Sequence, residues 1–231
     1  MKTRVYIDGA NFYFGLLKNH PEWKWLDLKG LVALLVRSDH EIDAIQYFTS
    51  YIKTHPYDHA ATERQNVYLQ GIEAFGGVEI VFGKYNKNKT YLPPVEGKCL
   101  DCDATRNGLI RVMKFEEKRT DVNLATSMLR DAYTNAADSF VLISGDSDFI
   151  APLDLIRYEL GKQVVVFNPK DRKSDLANHA SYYRDIPRDL PARCQLPDAI
   201  PVGTHGNFIR RPAAWKSPPA ITHRICNPFS S

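Results

Sequence analysis

The stretch that decides the fold is Phe-Val-Leu-Ile-Ser-Gly-Asp-Ser-Asp-Phe at positions 140–149. Four apolar residues in a row predict a buried parallel strand, and the small and acidic residues after them predict an open edge at its carboxyl end. Gly145 allows the backbone to turn, so that Asp146 and Asp148 can converge on one point. Two carboxylates this close repel each other unless a cation lies between them. The pattern favours a divalent-metal site, and a helix N-cap at Ser147 or Asp148 is the simpler alternative.

The amino terminus repeats this arrangement of a strand followed by an acidic turn. Thr-Arg-Val-Tyr-Ile at 3–7 predicts a short strand that ends at Asp8-Gly-Ala-Asn11. Asp8 and Asn11 could serve merely as caps of the following helix. If this strand lies beside the strand at 140–143, where a doubly wound sheet reverses direction, Asp8 meets Asp146 at the switch point.

Strands and helices alternate between and after these two turns. The sequence predicts further strands at 41–52, 78–82 and 163–167, and helices at 11–17, 27–38, 58–75, 120–132, 149–160 and 174–183. This alternation predicts an α/β fold with a central, mostly parallel sheet of about five strands and helices on both faces.

Length and composition limit the classes of protein to which this chain can belong. The chain has 231 residues with 44% hydrophobic content, enough for one substantial core, and a net charge of +3 that permits a polyanionic partner. No apolar run approaches the roughly 20 residues needed to cross a bilayer, and no signal-peptide pattern opens the chain. We therefore expect a cytoplasmic protein whose four cysteines are thiols.

Residues 83–107 break the alternation. They carry several lysines with Tyr85 and Tyr91, a composition that suits either a solvated loop or a loop that contacts nucleic acid, and the solvated loop is the simpler interpretation. Cys99 and Cys102 form a Cys-x-x-Cys pair that could supply half of a structural zinc site, although no second pair of ligands lies nearby in the sequence.

Residues 187–231 differ from the rest in composition. They hold eight of the 14 prolines and show no apolar periodicity. This pattern predicts an irregular or disordered tail, whose protein partner, if it has one, the sequence does not identify.

A third acidic group precedes the strand at 140–143. Asp121 stands at the start of the helix that leads into that strand, and Glu116 and Glu117 lie just upstream. Glu117 is interpreted as part of a surface charge run. A cluster of Asp8, Asp121, Asp146 and Asp148 would be self-repulsive when empty, and its hard oxygen ligands would select Mg²⁺ or Mn²⁺.

Three segments together resemble a known family. Val5-Tyr-Ile-Asp-Gly-Ala-Asn11, Glu116-Glu-Lys-Arg-Thr-Asp-Val-Asn-Leu-Ala125 and Leu142-Ile-Ser-Gly-Asp-Ser-Asp-Phe149 are similar to the signature blocks of NYN domains, the PIN-like nucleases, and most of all to the bacterial LabA-like group. The resemblance covers roughly residues 1–186. It implies a PIN-like three-layer α/β/α sandwich and metal-dependent ribonuclease chemistry.

The resemblance also implies roles for particular residues. Asp8, Asp121, Asp146 and Asp148 would form the acidic core that holds Mg²⁺ or Mn²⁺. Asn11 would orient a water or a metal ligand, and Glu116 would be an accessory residue. The implied substrate is RNA, in single-stranded form, and a homo-oligomer is possible.

Two other functions stay open at this point. A PIN-like fold can act as a non-catalytic module that binds RNA or a protein, and such a module would survive neutralisation of its carboxylates. A phosphatase with an aspartate nucleophile would need Asp-x-Asp after the first strand, and Asp8-Gly-Ala lacks the second aspartate.

Overall fold

The computed structural model describes residues 1–53, 58–94, 105–106, 109–203 and 206–216. Its α-helices are α1 Gly9–Phe12, α2 Leu28–Leu35, α3 Ala61–Phe75, α4 Thr120–Tyr133, α5 Ile150–Asp154 and α6 Leu190–Arg193. Its strands are β1 Lys2–Asp8, β2 Glu41–Thr49, β3 Glu79–Phe82, β4 Lys84–Leu92, β5 Thr105–Arg106, β6 Leu109–Lys118, β7 Ser139–Ile143, β8 Gln163–Asn168, β9 Tyr182–Asp185, β10 Ala199–Val202 and β11 Asn207–Arg210. Two π-helical segments and one 3-10 turn extend α1 and α5, and the other described 3-10 turns stand alone.

The central sheet has six strands in the order β3-β2-β1-β7-β8-β9. Every neighbouring pair is parallel, which confirms the predicted α/β sandwich with a mostly parallel sheet. The sixth strand is β9, where the sequence predicted the end of a helix. That prediction was wrong because Tyr182–Asp185 is a short edge strand whose side chains are largely exposed, so it lacks the apolar run of an inner strand.

The helices cover both faces of this sheet. Val5 and Ile7 of β1 pack into one core with α2 and α3, whereas Tyr6 between them packs into a second core with α4 and α5. This alternation follows from the strand, in which successive side chains point to opposite faces. The molecule therefore has three layers with a core on each side of the sheet.

The switch point of the sheet lies at β1. This strand pairs with β2 on one side and with β7 on the other, and Ile7 is directly paired with Ile143. Asp8 and Ser144 therefore leave the sheet next to each other at its carboxyl edge, which is where open α/β sheets bind their ligands.

The first part of the insertion after β3 forms a strand rather than a loop. Lys84–Leu92 forms β4, which pairs antiparallel with β6, and β5 adds two residues to the other side of β6. The sequence pattern missed β4 because both of its faces are largely exposed and neither carries an apolar stripe. Cys99 and Cys102, and with them the zinc hypothesis, lie outside the described residues.

The proline-rich stretch folds onto the domain as far as the structure describes it. Leu190, Leu196 and Trp215 are buried in the core beside α3, and the backbone of Leu196 donates a hydrogen bond to the carbonyl of Trp25 at 2.9 Å. Residues 187–203 and 206–216 of the predicted irregular or disordered tail hold only short helices and strands, and they pack against the domain. These apolar side chains are spaced irregularly because the segment follows the domain surface rather than a helix or long strand.

None of the helices in the described part of the chain has the length and apolar character needed to cross a bilayer.

Candidate active site

Asp8 is the most buried carboxylate at the carboxyl edge of the sheet. Its side chain is 3% exposed, and it accepts hydrogen bonds from the backbone N–H of Asn11 at 3.0 Å and from the hydroxyl of Ser144 at 2.8 Å. Burial, with a smaller contribution from the nearby charges of Asp121 and Asp146, raises the pKa of Asp8 to about 6, and the two hydrogen bonds offset part of this rise. The fold therefore holds a carboxyl group in a place that disfavours its charge.

Asn11 connects the ends of β1 and β7. Its side-chain carbonyl accepts a hydrogen bond from the backbone N–H of Gly145 at 3.0 Å, and the residue is 8% exposed. Gly9 allows this arrangement, since a Cβ there would lie 2.6 Å from the carbonyl oxygen of Phe48. The amide of Asn11 thus fixes the turn that carries Asp146.

Asp146 and Asp148 lie in the turn after β7. Asp146 is half-buried, and its carboxylate caps the short 3-10 turn Ser147–Phe149 by accepting a hydrogen bond from the backbone N–H of Asp148 at 3.1 Å. The N-cap alternative is thus realised, but at Asp146 rather than at Ser147 or Asp148. Asp146 still faces the cleft beside Asp8 while it caps this turn.

Asp121 reaches the same cleft from the first turn of α4. Partial burial raises its pKa, and the charges of Asp146, Glu117 and Asp148 raise it further. A helix N-terminus favours a negative charge, so α4 also stabilises this carboxylate in part.

Glu117 and Glu116 are neighbours on β6 but point in opposite directions. Glu117 lines the cleft and accepts a hydrogen bond from the hydroxyl of Thr120 at 2.7 Å. Glu116 instead forms ion pairs with Lys114 and Lys118 and is absent from the cleft lining. The structure therefore places the neighbouring glutamate at the site, because residues i and i+1 of a strand lie on opposite faces.

The cleft brings together most, but not all, of the predicted residues. It is lined by Asp8, Ala10, Asn11, Glu117, Lys118, Thr120, Asp121 and Asp146. Asp148 is exposed at its margin, and Glu116 is excluded. Within the described residues none of Asp8, Asp121, Asp146 and Asp148 forms an ion pair.

The donor atoms in this cleft are of the chemical type that a hard divalent cation binds. Carboxylate and amide oxygens are the ligands that Mg²⁺ and Mn²⁺ prefer. Over the ranges that the structure describes, however, no three His, Cys, Asp or Glu side chains already lie close enough together to hold an ion. The cleft thus offers suitable donors but not a preassembled set.

Sequence reasoning missed two residues of the site. Ser144 is fully buried and links Asp8 to the turn, because its hydroxyl donates to Asp8 and accepts from the backbone N–H of Asp146 at 3.1 Å. Its position directly after the apolar run of β7 was the available signal. Glu117 was recognisable only if β6 continued as a strand through residue 118.

Comparisons with known proteins identify a matching family and similar individual proteins. A family model described as the NYN domain matches residues 2–187. The curated protein 6-hydroxy-3-succinoylpyridine 3-monooxygenase HspA of Pseudomonas putida is 30% identical over 250 aligned positions, spanning 97% of this chain and 78% of that protein. A solved protein of unknown function from Vibrio parahaemolyticus is similar at a TM-score of 0.47 and 17% identity, covering 81% of this chain and 94% of that one.

The family model covers nearly the whole of the three-layer domain, including all four aspartates and Asn11. The protein belongs to the NYN domain family.

Proposed function

We propose that this protein is a metal-dependent ribonuclease whose acidic cleft hydrolyses RNA phosphodiester bonds. The observation that carries the proposal is the convergence of Asp8, Asp121 and Asp146 from three separate elements on one cleft at the switch point. NYN domains share the PIN-like nuclease fold, and the similarity of the three sequence segments to the LabA-like group is part of the same proposal.

Asp8, Asp121, Asp146 and Asp148 would hold Mg²⁺ or Mn²⁺. When bound, such an ion activates a water for attack and neutralises the charge that grows on the phosphodiester. Asp8 is held in place by Ser144 and Asn11, Asp121 lines the cleft, and Asp148 is exposed beside it. Asn11 keeps the turn after β7 in register with β1, and Glu117 adds a carboxylate next to Asp121.

The experiment is a cleavage assay on the full chain with single-stranded, structured and duplex RNA. We expect cleavage with Mn²⁺ or Mg²⁺, none with a chelator, and cleavage lowered about a hundredfold or more for Asp146→Asn. Glu116→Gln is the matched control, because it also neutralises one carboxylate but lies outside the cleft. Metal-independent cleavage, or full activity of Asp146→Asn, would refute the proposal. A non-catalytic module would bind RNA and cleave none of the three substrates.

A second candidate follows from the relative named above. A match over 97% of the chain must extend into residues 188–231, which the family model does not cover. The chain thus resembles that monooxygenase beyond the shared domain, and the second candidate is oxygenation of a hydroxypyridine with an acyl side chain. Oxygen uptake in the presence of 6-hydroxy-3-succinoylpyridine and a two-electron reductant tests it, and RNA cleavage without such uptake would favour the nuclease.

A further inference from the structure

The two-stranded ribbon of β4 and β6 is rooted in the wall of the acidic cleft. β4 leaves the sheet at Gly83, where a Cβ would lie 2.1 Å from the hydroxyl oxygen of Thr120, and β6 returns through Arg119, whose φ is 74°. The backbone N–H of Gly83 also donates to the carbonyl of Thr49 at 2.7 Å. The base of the ribbon is therefore fixed against β2 and α4 at the site itself.

The two faces of this ribbon differ in character. Directly paired residues of an antiparallel ribbon share a face, and the faces alternate along each strand. One face, which we call the aromatic face, carries Tyr85, Lys87, Lys89 and Tyr91 from β4 and Arg111, Met113, Phe115 and Glu117 from β6. The other, which we call the polar face, carries Lys84, Asn86, Asn88, Thr90 and Leu92 from β4 and Ile110, Val112, Lys114, Glu116 and Lys118 from β6.

The aromatic face combines rings with cations. The rings of Tyr85 and Phe115 lie 6.3 Å apart, and the ammonium of Lys87 lies 5.5 Å from the centre of the Phe115 ring. Further along the ribbon, Tyr91 is 40% exposed. Pairs on this face repeat about every 6.8 Å along the ribbon, so rings and charges succeed one another from the cleft outward.

Charge is distributed differently on the two faces. Each face carries three basic residues and one glutamate. On the polar face, Lys114 and Lys118 both form ion pairs with Glu116, so the single carboxylate of that face lies among its cations. On the aromatic face, Lys89 and Arg111 form no ion pair with any residue that the structure describes. The acidic residue of that face, Glu117, stands at the base and lines the cleft.

We propose that the aromatic face binds single-stranded nucleic acid and leads it into the cleft at Glu117. The inference rests on the proposed ribonuclease function and adds to it the surface that binds the substrate. Rings on which bases stack, interleaved with cations that contact phosphates, are the features of surfaces that bind single strands. A duplex keeps its bases stacked on one another, so it cannot use these rings. An acidic peptide would meet the cations but carries no bases to stack on the rings.

The test measures binding separately from cleavage. The full chain carrying Asp146→Asn, in the presence of a chelator, is titrated into a labelled single-stranded RNA of about 12 nucleotides and into its duplex, with fluorescence anisotropy as the readout. Lys89→Ala with Arg111→Ala removes two charges from the aromatic face, and Lys84→Ala with Lys114→Ala removes two from the polar face. Tyr91→Ala is matched in the same way by Leu92→Ala.

We expect the aromatic-face pair to weaken single-strand binding about tenfold or more, equivalent to about 1.4 kcal/mol, and the polar-face pair to weaken it less than about threefold. The slope of log Kd against log salt should fall by about 0.7 for each phosphate that is no longer neutralised by a side chain. Tyr91→Ala should weaken binding more than Leu92→Ala. Equal effects of the two charge pairs, or duplex binding as tight as single-strand binding, would overturn the inference.

The inference and the proposed function can fail separately. Single-strand binding with this face dependence, but no cleavage by the unsubstituted chain with Mn²⁺, would leave the inference standing and refute the nuclease. Metal-dependent cleavage with no effect of the aromatic-face substitutions would leave the nuclease standing and refute the inference. The substituted ribbon residues are all exposed, and within the described part of the chain only Lys114 among them forms an ion pair, so thermal melts should match those of the parent chain.

Discussion

The two ends of α4 carry aspartates in opposite electrostatic settings. Near its C-terminal end, Asp131 is buried and accepts hydrogen bonds from the guanidinium of Arg4 at 2.8 Å, the hydroxyl of Tyr6 at 2.8 Å and the guanidinium of Arg130 at 2.9 Å. At the N-terminal end, Asp121 faces Asp146 and Glu117 across the cleft and forms no ion pair within the described residues.

These settings shift the pKa values in opposite directions. Burial alone would raise the pKa of Asp131, but the hydrogen bonds from Arg4, Tyr6 and Arg130 outweigh it, so the pKa lies below its ordinary value. Burial and neighbouring carboxylates raise the pKa of Asp121. Asp131, which is paired with cations, stabilises the packing of α4 on the sheet. Carboxylates that face other carboxylates, as Asp121 does, lower stability and are typical of functional sites.

Asp146→Asn should have the largest effect, and on activity alone. Losing one metal ligand removes several kcal/mol of transition-state stabilisation, so we expect metal-dependent RNA cleavage to fall about a hundredfold or more. Thermal unfolding in a chelator should be unchanged or occur at a higher temperature, because repulsion in the cleft is relieved and the asparagine oxygen can still cap the turn. A large loss of stability would show that Asp146 is structural instead.

Asp131→Asn should have the reverse effect. It leaves the guanidinium of Arg4 without its buried partner, and we expect a loss of about 3 kcal/mol in the free energy of unfolding, measured by urea denaturation. Asp43→Asn is the matched control, because Asp43 also binds Arg4 but at the surface, and it should cost less than about 1 kcal/mol. Equal losses for the two variants would contradict the contrast between the ends of α4.

The pH dependence of stability should depend on the same residue. The pKa of Asp131 is lowered in the folded protein, so its stabilisation is present above the unfolded-state value of 3.8 and is lost as the pH falls through the lower folded-state value. The difference in unfolding free energy between the parent chain and Asp131→Asn should therefore be constant near neutral pH and shrink below about pH 4. A difference that shrinks as the pH rises would contradict the sign of the shift.

The smallest expected effect is the difference in RNA cleavage between substitutions of the adjacent Glu116 and Glu117. Glu117→Gln removes a carboxylate from the cleft and should lower cleavage about tenfold, which corresponds to about 1.4 kcal/mol. Glu116→Gln only releases Lys114 and Lys118 on the polar face and should leave cleavage within about twofold of the parent. A larger loss of cleavage with Glu116→Gln than with Glu117→Gln would instead support Glu116 as the accessory residue, as the sequence resemblance implies.

Much of the fold was predictable because its signals are local. The apolar run at 140–143 and the short strand at 3–7 appear as predicted, and the helix predicted from residue 27 appears as α2, with Asp27 as its N-cap through the backbone N–H of Gly30. β9 and β4 were missed because exposed strands carry no apolar stripe. The packing of Trp215 and Leu196 was missed because it follows no period.

The order of residues by itself determined that β1 and β7 lead into carboxylates, since each of these two apolar runs is followed by an acidic turn. Only the tertiary structure decided which carboxylates meet. Parallel pairing of β1 with β7 brings Asp8 to Asp146, and the side-chain alternation of β6 turns Glu117 inward and Glu116 outward. It also brought the guanidinium of Arg4 to Asp131, whereas Asp121 forms no ion pair with any residue that the structure describes. The chain order alone does not show this, because the interaction between two charges depends on their distance in space.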